Sequence, residues 1–231
     1  MDPCILQQEF DTAAFGIPFY RVQRVDAAGL AAELAALAGS RPFIVDAKVP
    51  AEDLASTRTL MELGFRRVCM QIELVHPVGP HGEERGQSEI SDRFELPEET
   101  LRAHARNFQN DRFNLDPLLP RQGIHELYYR WIRNSLGGRK RVVHRGTGFC
   151  TFAEGENEVR IDLLSVLESG AGIGKDLIVT LVSHCRNQGK RPIAVVTECE
   201  NPRAWQLYQR TGFALHRFLS VFHYVARCDS L

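Results

Sequence analysis

Val159 to Phe213 reads VRIDLLSVLESGAGIGKDLIVTLVSHCRNQGKRPIAVVTECENPRAWQLYQRTGF, and the order of its patterns decides the fold class. Val159, Ile161 and Leu163 alternate to one face of a strand, with Asp162, Leu164 and Val166 on the other. The glycine run SGAGIGKDL follows at once, and Ile173, Leu177, Ile178, Leu181, Val182 and Cys185 then recur at helical spacing. PIAVVTE is a second strand and NPRAWQLYQR a second helix, closed by Gly212 and Phe213. The alternation of strands and helices defines a mixed α/β domain.

A glycine-rich turn from strand into helix lets backbone N–H groups converge on a phosphate at the positive helix end, with no side chain in the way. Two familiar nucleotide motifs fail here. A mononucleotide P-loop built on Gly174-Lys175 would need glycine where Ser169 stands and Ser or Thr where Asp176 stands. The dinucleotide fingerprint places Lys175 or Leu177 at its last glycine, depending on whether it starts at Gly170 or Gly172.

From Val159 to Phe213 the stretch resembles the GNAT acyltransferase superfamily. That family's loop pattern is Gln or Arg, two residues, Gly, any residue, Gly or Ala, and Gly172-Ile173-Gly174 matches it, with Ser169 at the Gln or Arg position. The departure removes one side-chain contact to a pyrophosphate and leaves the backbone cradle. NPRAWQLYQRTGF looks like the family's Asn-x-x-Ala-x-x-Leu-Tyr-x-x-x-Gly-Phe helix, in the family's order and approximate spacing. The resemblance implies acetyl-coenzyme A as co-substrate, cradled by Gly170, Ala171, Gly172, Ile173, Gly174 and Lys175. It also implies that the strand ending in Leu164, Ser165 and Val166 splays from PIAVVTE to admit the pantetheine arm. Asn201 would face that arm and Tyr208 the thioester sulfur, with the backbone N–H near Val166 as oxyanion donor.

Simpler readings stand beside these. Asn201 before Pro202 is a good N-cap followed by proline at the first helical position, which accounts for it without a coenzyme. Tyr208 shares a helical face with Ala204 and Thr211, and its alternative reading is a half-buried structural tyrosine. As a general acid, a phenol of pKa about 10 protonates a thiolate whose acid is near about 8.5 for roughly 2 kcal/mol. Glu198, at the end of PIAVVTE, is the first candidate for the base and a water chain the second. His223 shares a strand face with Val221 and Val225 and reads as a core histidine.

The chain has 231 residues, 44% of them hydrophobic, enough for a substantial core. Its 28 basic and 29 acidic residues nearly cancel, so no global field points to nucleic acid or an anionic membrane. The six cysteines are scattered without a Cys-x-x-Cys pair, so no metal site is expected. MDPCILQQEFD lacks a targeting pattern, and a cytoplasmic protein is expected.

In chain order, FYRVQRV reads as a strand, DAAGLAAELAALAG as a helix capped by Asp26 and stopped by Gly39, RPFIVDAKV as a strand, DLASTRTLMELGF as a helix and RRVCMQIELVH as a strand. Residues 1–76 are expected as an N-terminal α/β domain, the Pro- and Gly-rich stretch 77–93 as a linker, and 94–231 as the catalytic domain. In the last, LPEETLRAHARNF is a helix with Leu101, Ala105 and Phe108 on one face, and IHELYYRWIRNSL a second with Leu127, Trp131 and Leu136 inward. RPFIVDAKVPAEDLASTRTLMELGF echoes RPIAVVTECENPRAWQLYQRTGF, with Leu60 at the position of Tyr208 and nothing matching the glycine loop. The fold expected is therefore a GNAT domain preceded by a smaller GNAT-like unit without a cofactor site.

The opening FDTAAFGIPFYRV and the run DRFNLDPLLPRQGIHELYYRWIRNSLGG resemble the TDP-fucosamine N-acetyltransferase branch, with Phe10 where that branch has Trp. This implies an acetyl-CoA-dependent N-acetyltransferase acting on a small-molecule amine, a nucleotide-linked amino sugar, with Arg112, Asn114 and Asp116 as acceptor contacts or simply a polar loop. A homodimer is left open. The rival readings are acetylation of a protein, peptide or polyamine, and a non-catalytic acyl-CoA sensor.

Overall fold

The structure, a computed structural model, describes residues 2–38, 42–79, 86–168, 170–189 and 191–226. Gly39, Ser169, Cys228 and residues 80–85 of the expected linker lie outside them. The chain forms two compact units that interleave along the sequence. Unit 1 runs to Gln71 and adds Asn110–Leu127 and the chain from Phe218, and unit 2 is Ile72–Gln109 with Tyr128–Arg217.

Unit 1 contains β1 (Ile5–Gln7), α1 (Glu9–Phe15), β2 (Phe19–Val22), α2 (Ala27–Leu37), β3 (Phe43–Pro50) and α3 (Leu54–Glu62). β1 and β2 pair antiparallel, β2 and β3 parallel through the crossover helix α2, and β3 antiparallel with the last strand, β10 (Ala214–Ala226). Leu30 and Leu34 of α2, Leu60 of α3 and Phe43, Val45 and Phe222 fill the core between helices and sheet. The opening forms a short strand and helix that alternation alone did not reveal. Asp26 occupies the N-cap of α2 without capping it, since its carboxylate pairs with Arg24 at 3.2 Å.

Unit 2 contains β5 (Glu89–Ser91), α4 (Glu98–Asn107), β6 (Arg141–Arg145), β7 (Gly148–Glu154), β8 (Val159–Ser165), α6 (Ile173–Asn187), β9 (Ile193–Glu198) and α7 (Pro202–Arg210). α5 (Arg121–Asn134) begins in unit 1 and ends in unit 2, where a π-helical turn with Gly138 at φ 107° closes it. β5 to β8 form an antiparallel meander, and β8 runs parallel to β9 through α6. β5 lies within the stretch expected as a linker; it pairs with β6 through Ile90 and Val143. Leu177, Ile178 and Leu181 of α6 pack on Phe152, Ile161, Ile193, Val195 and Phe213.

The echo between residues 41–65 and 191–213 extends to atomic detail at one constant offset in residue number. Asp53 accepts from Ser56 N at the start of α3, and Asn201 from Ala204 N at the start of α7. Phe65 N donates to Leu60 O, and Phe213 N to Tyr208 O, each at 3.0 Å. Gly64 and Gly212 both take positive φ, 88° and 93°, to close the two helices. β4 (Arg66–His76) starts in unit 1 and its second half belongs to unit 2, while β10 does the reverse. Each unit thus receives the ring that covers its glycine from the far end of the other repeat's strand. Tyr224 lies over Gly64 with its ring tilted against Phe65, and His76 lies over Gly212 beside Phe213.

Candidate active site

β8 and β9 begin as neighbours and then part. Among the described residues their ladder runs through Val159–Ile193 and Arg160–Ala194, after which β8 continues to Ser165 paired with β7. The cause is a bulge. Ile161 faces Phe152 and Leu163 faces Thr151, so Asp162 is an extra residue on β8, and such an insertion bends its strand. Trp131 Nε1 donates to Asp162 Oδ2 at 2.9 Å and Ser135 Oγ at 3.3 Å, which pins the bulge, while Thr151 Oγ1 accepts from Leu163 N. Beyond Arg160 and Ala194 the two strands are no longer paired with each other among the described residues, the β8 side carrying Leu164, Ser165 and the following Val166 and the β9 side ending at Glu198.

The glycine loop leads from the end of β8 into α6. Gly170 and Gly172 hold φ of 90° and 71°, and a Cβ on either would meet nothing within 4 Å, so the loop faces open space. Gly172 is the N-cap and supplies no side-chain cap, leaving the first N–H groups of α6 for an outside acceptor. Gly174 has a different reason to be glycine: a Cβ there would lie 3.2 Å from Leu207, so it permits close packing of α6 on α7. Ala171 and Lys175 are exposed, and Ile173 is half-buried against Val166 and Gly148. Asp176 is drawn away from the loop by Gln87 N at 2.9 Å, Ser88 Oγ and Arg145 at 3.3 Å.

Asn201 caps α7, accepting from Ala204 N at 3.3 Å, as its place before Pro202 suggested. Tyr208 is buried in the core of unit 2, its ring 5.3 Å from that of Phe213. Burial, and after it the neighbouring Cys150, pushes the phenol well above its ordinary pKa, so it stays protonated through the working pH range. Glu198 is buried at the end of β9, and Asn201 N donates to its carbonyl.

Two residues of α4 complete the end of β8. His104, wholly buried, places Nδ1 2.8 Å from Ser165 Oγ. Asn107 donates Nδ2 to Ser165 Oγ at 3.3 Å and to Val166 O at 3.2 Å. Both were passed over in the sequence, although His104 falls on the helical face defined by Leu101, Ala105 and Phe108.

Arg112, Asn114 and Asp116 lie in unit 1 and are bound up within it. Arg112 Nη1 is 2.5 Å from Asp46 Oδ2, and Asp116 accepts from Arg66 at 2.7 Å and Leu118 N at 2.9 Å and lies 2.9 Å from His223 Nδ1. Asn114 donates to Asp111 at 2.6 Å and accepts from Arg121 at 2.9 Å. Arg112 and Asp116 are buried, which makes them parts of the unit's interior. His223 is the core histidine its strand position suggested.

Residues 144–213 match the model of the acetyltransferase (GNAT) family, a span covering β7, β8, the glycine loop, α6, β9 and α7. The matched span is a GNAT acetyltransferase domain, and GNAT acetyltransferases use acetyl-CoA. Spore coat polysaccharide biosynthesis protein SpsD of Bacillus subtilis is 30% identical over 125 residues, 51% of this chain and 43% of that protein, so the match spans under half of the relative. The dTDP-fucosamine acetyltransferase of Escherichia coli O6:H1 is 25% identical over 177 residues, 73% of this chain and 75% of that one. Among solved structures, a GCN5-related N-acetyltransferase from Sphaerobacter thermophilus matches with TM-score 0.60 and 15% identity over 96% of this chain and 76% of its own. A tandem GNAT protein from the clavulanic acid biosynthesis pathway matches with TM-score 0.57 and 14% identity, over 93% and 77%. The fold is the GNAT α/β fold, a mixed sheet with flanking helices. Among the described residues no helix is long and apolar enough to cross a membrane, and no group of His, Cys, Asp and Glu could hold a metal ion.

Proposed function

We propose that the protein transfers an acetyl group from acetyl-CoA to the amine of an amino sugar, in nucleotide-linked form. The observation that carries this reading is the gap between β8 and β9 beside a glycine-led, uncapped helix start. Backbone groups at the end of β8 are available to bond a pantetheine arm as an added strand would, and the N–H groups from Gly172 to Lys175 suit a pyrophosphate. The residues present therefore fit acetyl-CoA, whose thioester supplies the activated acyl group. Gly170 to Lys175 would hold its phosphates, and Leu164, Ser165 and Val166 its arm. Val166 N–H is the oxyanion donor, and Tyr208, kept protonated by burial, is the proton source for the leaving sulfur. Glu198 or an ordered water is available to take the amine proton. The sugar acceptor is supported by the names of the two relatives, and the internal bonding of Arg112, Asn114 and Asp116 argues against a role for them as acceptor contacts. The N-terminal α/β unit is read as a GNAT-like repeat that serves as scaffold.

The test is thiol release from acetyl-CoA with dTDP-fucosamine, UDP-glucosamine, a lysine peptide and spermidine as acceptors. Turnover is expected with the nucleotide sugars, and Tyr208→Phe is expected to lower kcat by about 10² or more while leaving acetyl-CoA affinity within a few-fold. Undiminished turnover in Tyr208→Phe removes the tyrosine from the chemistry. Tight acetyl-CoA binding without release to any amine favours a sensor instead.

A further inference from the structure

We propose that His104, rather than Glu198 or an ordered water, takes up the proton shed by the reacting amine, relayed through the hydroxyl of Ser165. This deepens the acetyltransferase reading and rests on it. The geometry starts from Asn107, whose Nδ2 can only donate: it reaches Ser165 Oγ at 3.3 Å and Val166 O at 3.2 Å. Ser165 Oγ is therefore already an acceptor on that side, and its own hydrogen is left for Nδ1 of His104 at 2.8 Å. That assignment leaves the ring hydrogen on Nε2, which makes no hydrogen bond among the described residues.

Burial lowers the pKa of His104, so the ring is neutral near pH 7 and able to receive a proton, while the Thr147 backbone favours the protonated form. The groups facing the ring are Phe149 of β7, with centroids 4.8 Å apart, Ser165 of β8, Asn107 of its own helix and the Thr147 backbone between β6 and β7. None of them is charged. His223 offers the contrast, for its Nδ1 lies 2.9 Å from the Asp116 carboxylate, which also binds Arg66. Ser165 is the buried last residue of β8 and immediately precedes Val166, the proposed oxyanion donor, in sequence.

In the step proposed, the amine nitrogen bonds to the acetyl carbon, its proton passes to Ser165 Oγ, and the Ser165 hydroxyl proton passes to His104 Nδ1. As the carbon–sulfur bond breaks, the sulfur takes the electron pair and the proton of Tyr208. The imidazolium then returns its proton through Ser165 to solvent, and Tyr208 is reprotonated from solvent. His104 never touches substrate in this scheme and is a positioning and relay residue behind Ser165.

The test compares wild type with His104→Asn and Ser165→Ala in thiol release with the acceptor of highest turnover, from pH 5.5 to 9. Calorimetric acetyl-CoA affinity and thermal unfolding are measured alongside. Both variants are expected to bind acetyl-CoA within about threefold of wild type and to lose about 10²-fold in kcat. The wild-type kcat/KM should fall on the acid side with a midpoint below the ordinary histidine value of about 6.5, and that limb should vanish in His104→Asn. Ser165→Ala changes one oxygen and keeps the question open to measurement if His104→Asn does not fold. Full kcat in Ser165→Ala, or an acid limb that persists in His104→Asn, overturns the relay alone. A wild type that binds acetyl-CoA and transfers to no amine overturns the acetyltransferase reading and the relay with it.

Discussion

Replacing Arg112 with Met should destabilise unit 1 by about 3–5 kcal/mol at neutral pH, because it strands a charge in the interior. Asp46 sits on β3 with no exposed surface, and its Oδ2 takes Arg112 at 2.5 Å and Arg21 at 3.2 Å. Oδ1 makes no hydrogen bond among the described residues, so the carboxylate depends on these cations. Burial alone would raise its pKa. That is the largest single influence, but Arg112, Lys48, His223 and Arg21, in that order, together outweigh it, and the carboxyl is held at about 2 against an ordinary 3.8. That difference is worth about 2 kcal/mol of stability at neutral pH. Because the folded value is depressed, this stability is present above the unfolded value and lost as pH falls toward about 2. In Arg112→Met the burial penalty stands with less opposition, and the carboxyl pKa rises above its unfolded value. The sign then reverses: the folded variant binds a proton more readily than the unfolded chain, so acidification from pH 8 to pH 5 should shrink the penalty. Urea unfolding at those two pH values measures this, with Asp46→Asn/Arg112→Met as the companion in which the stranded charge is absent. The companion should recover most of the loss. A penalty below about 1 kcal/mol, or one equal at both pH values and in the companion, would refute the assignment of Arg112 as the counter-ion that makes a buried Asp46 tolerable.

Three further outcomes follow from single residues. Asn201→Ala removes the cap of α7 and should lower unfolding stability by about 1 kcal/mol, as should Asp53→Ala at the equivalent place in α3; no change in the denaturation midpoint would mean the caps are idle. Gly172→Ala meets no neighbour but must hold φ at 71°, so about 1 kcal/mol of strain is expected. Its acetyl-CoA affinity should fall by more than that strain explains, and unchanged calorimetric affinity would place the phosphates elsewhere. Leu60→Ala, at a wholly buried position of α3, should cost about 2–5 kcal/mol and leave acetyl-CoA binding intact; lost binding would mean the echo of Tyr208 is not confined to packing.

Local patterns were legible where one residue's neighbours in sequence are also its neighbours in space. The strand–glycine–helix order of residues 159–187, the capping by Asn201 and the closure at Gly212 all depend on separations of a few residues, and all appear as read. The bulge at Asp162 was not legible, because it is defined by Thr151 and Phe152 across the ladder and held by Trp131 and Ser135 on another element. Nor could alternation along β4 and β10 reveal that each strand divides between two units, since the hydrophobic period stays the same on both sides of the crossing. Arg112 and Asp116 look in sequence like a polar loop open to a substrate; their partners Asp46, Arg66 and His223 come from other parts of the chain and enclose them.

The two buried histidines carry this point into the chemistry. His223 reads in sequence as a core histidine, and nothing in the sequence marks His104 as different from it. What separates them is the partner at Nδ1: a carboxylate 107 residues away for His223, and a serine hydroxyl 61 residues away for His104. The carboxylate, which also binds Arg66, fixes the His223 ring as part of a buried network. A hydroxyl leaves the ring neutral and passes protons in either direction. Of the two, only His104 packs against the end of β8, beyond the point where its ladder with β9 stops. His104 is, among the described residues, the one buried imidazole paired to a hydroxyl, and that hydroxyl belongs to the last residue of β8, beyond the point where the β8–β9 ladder stops.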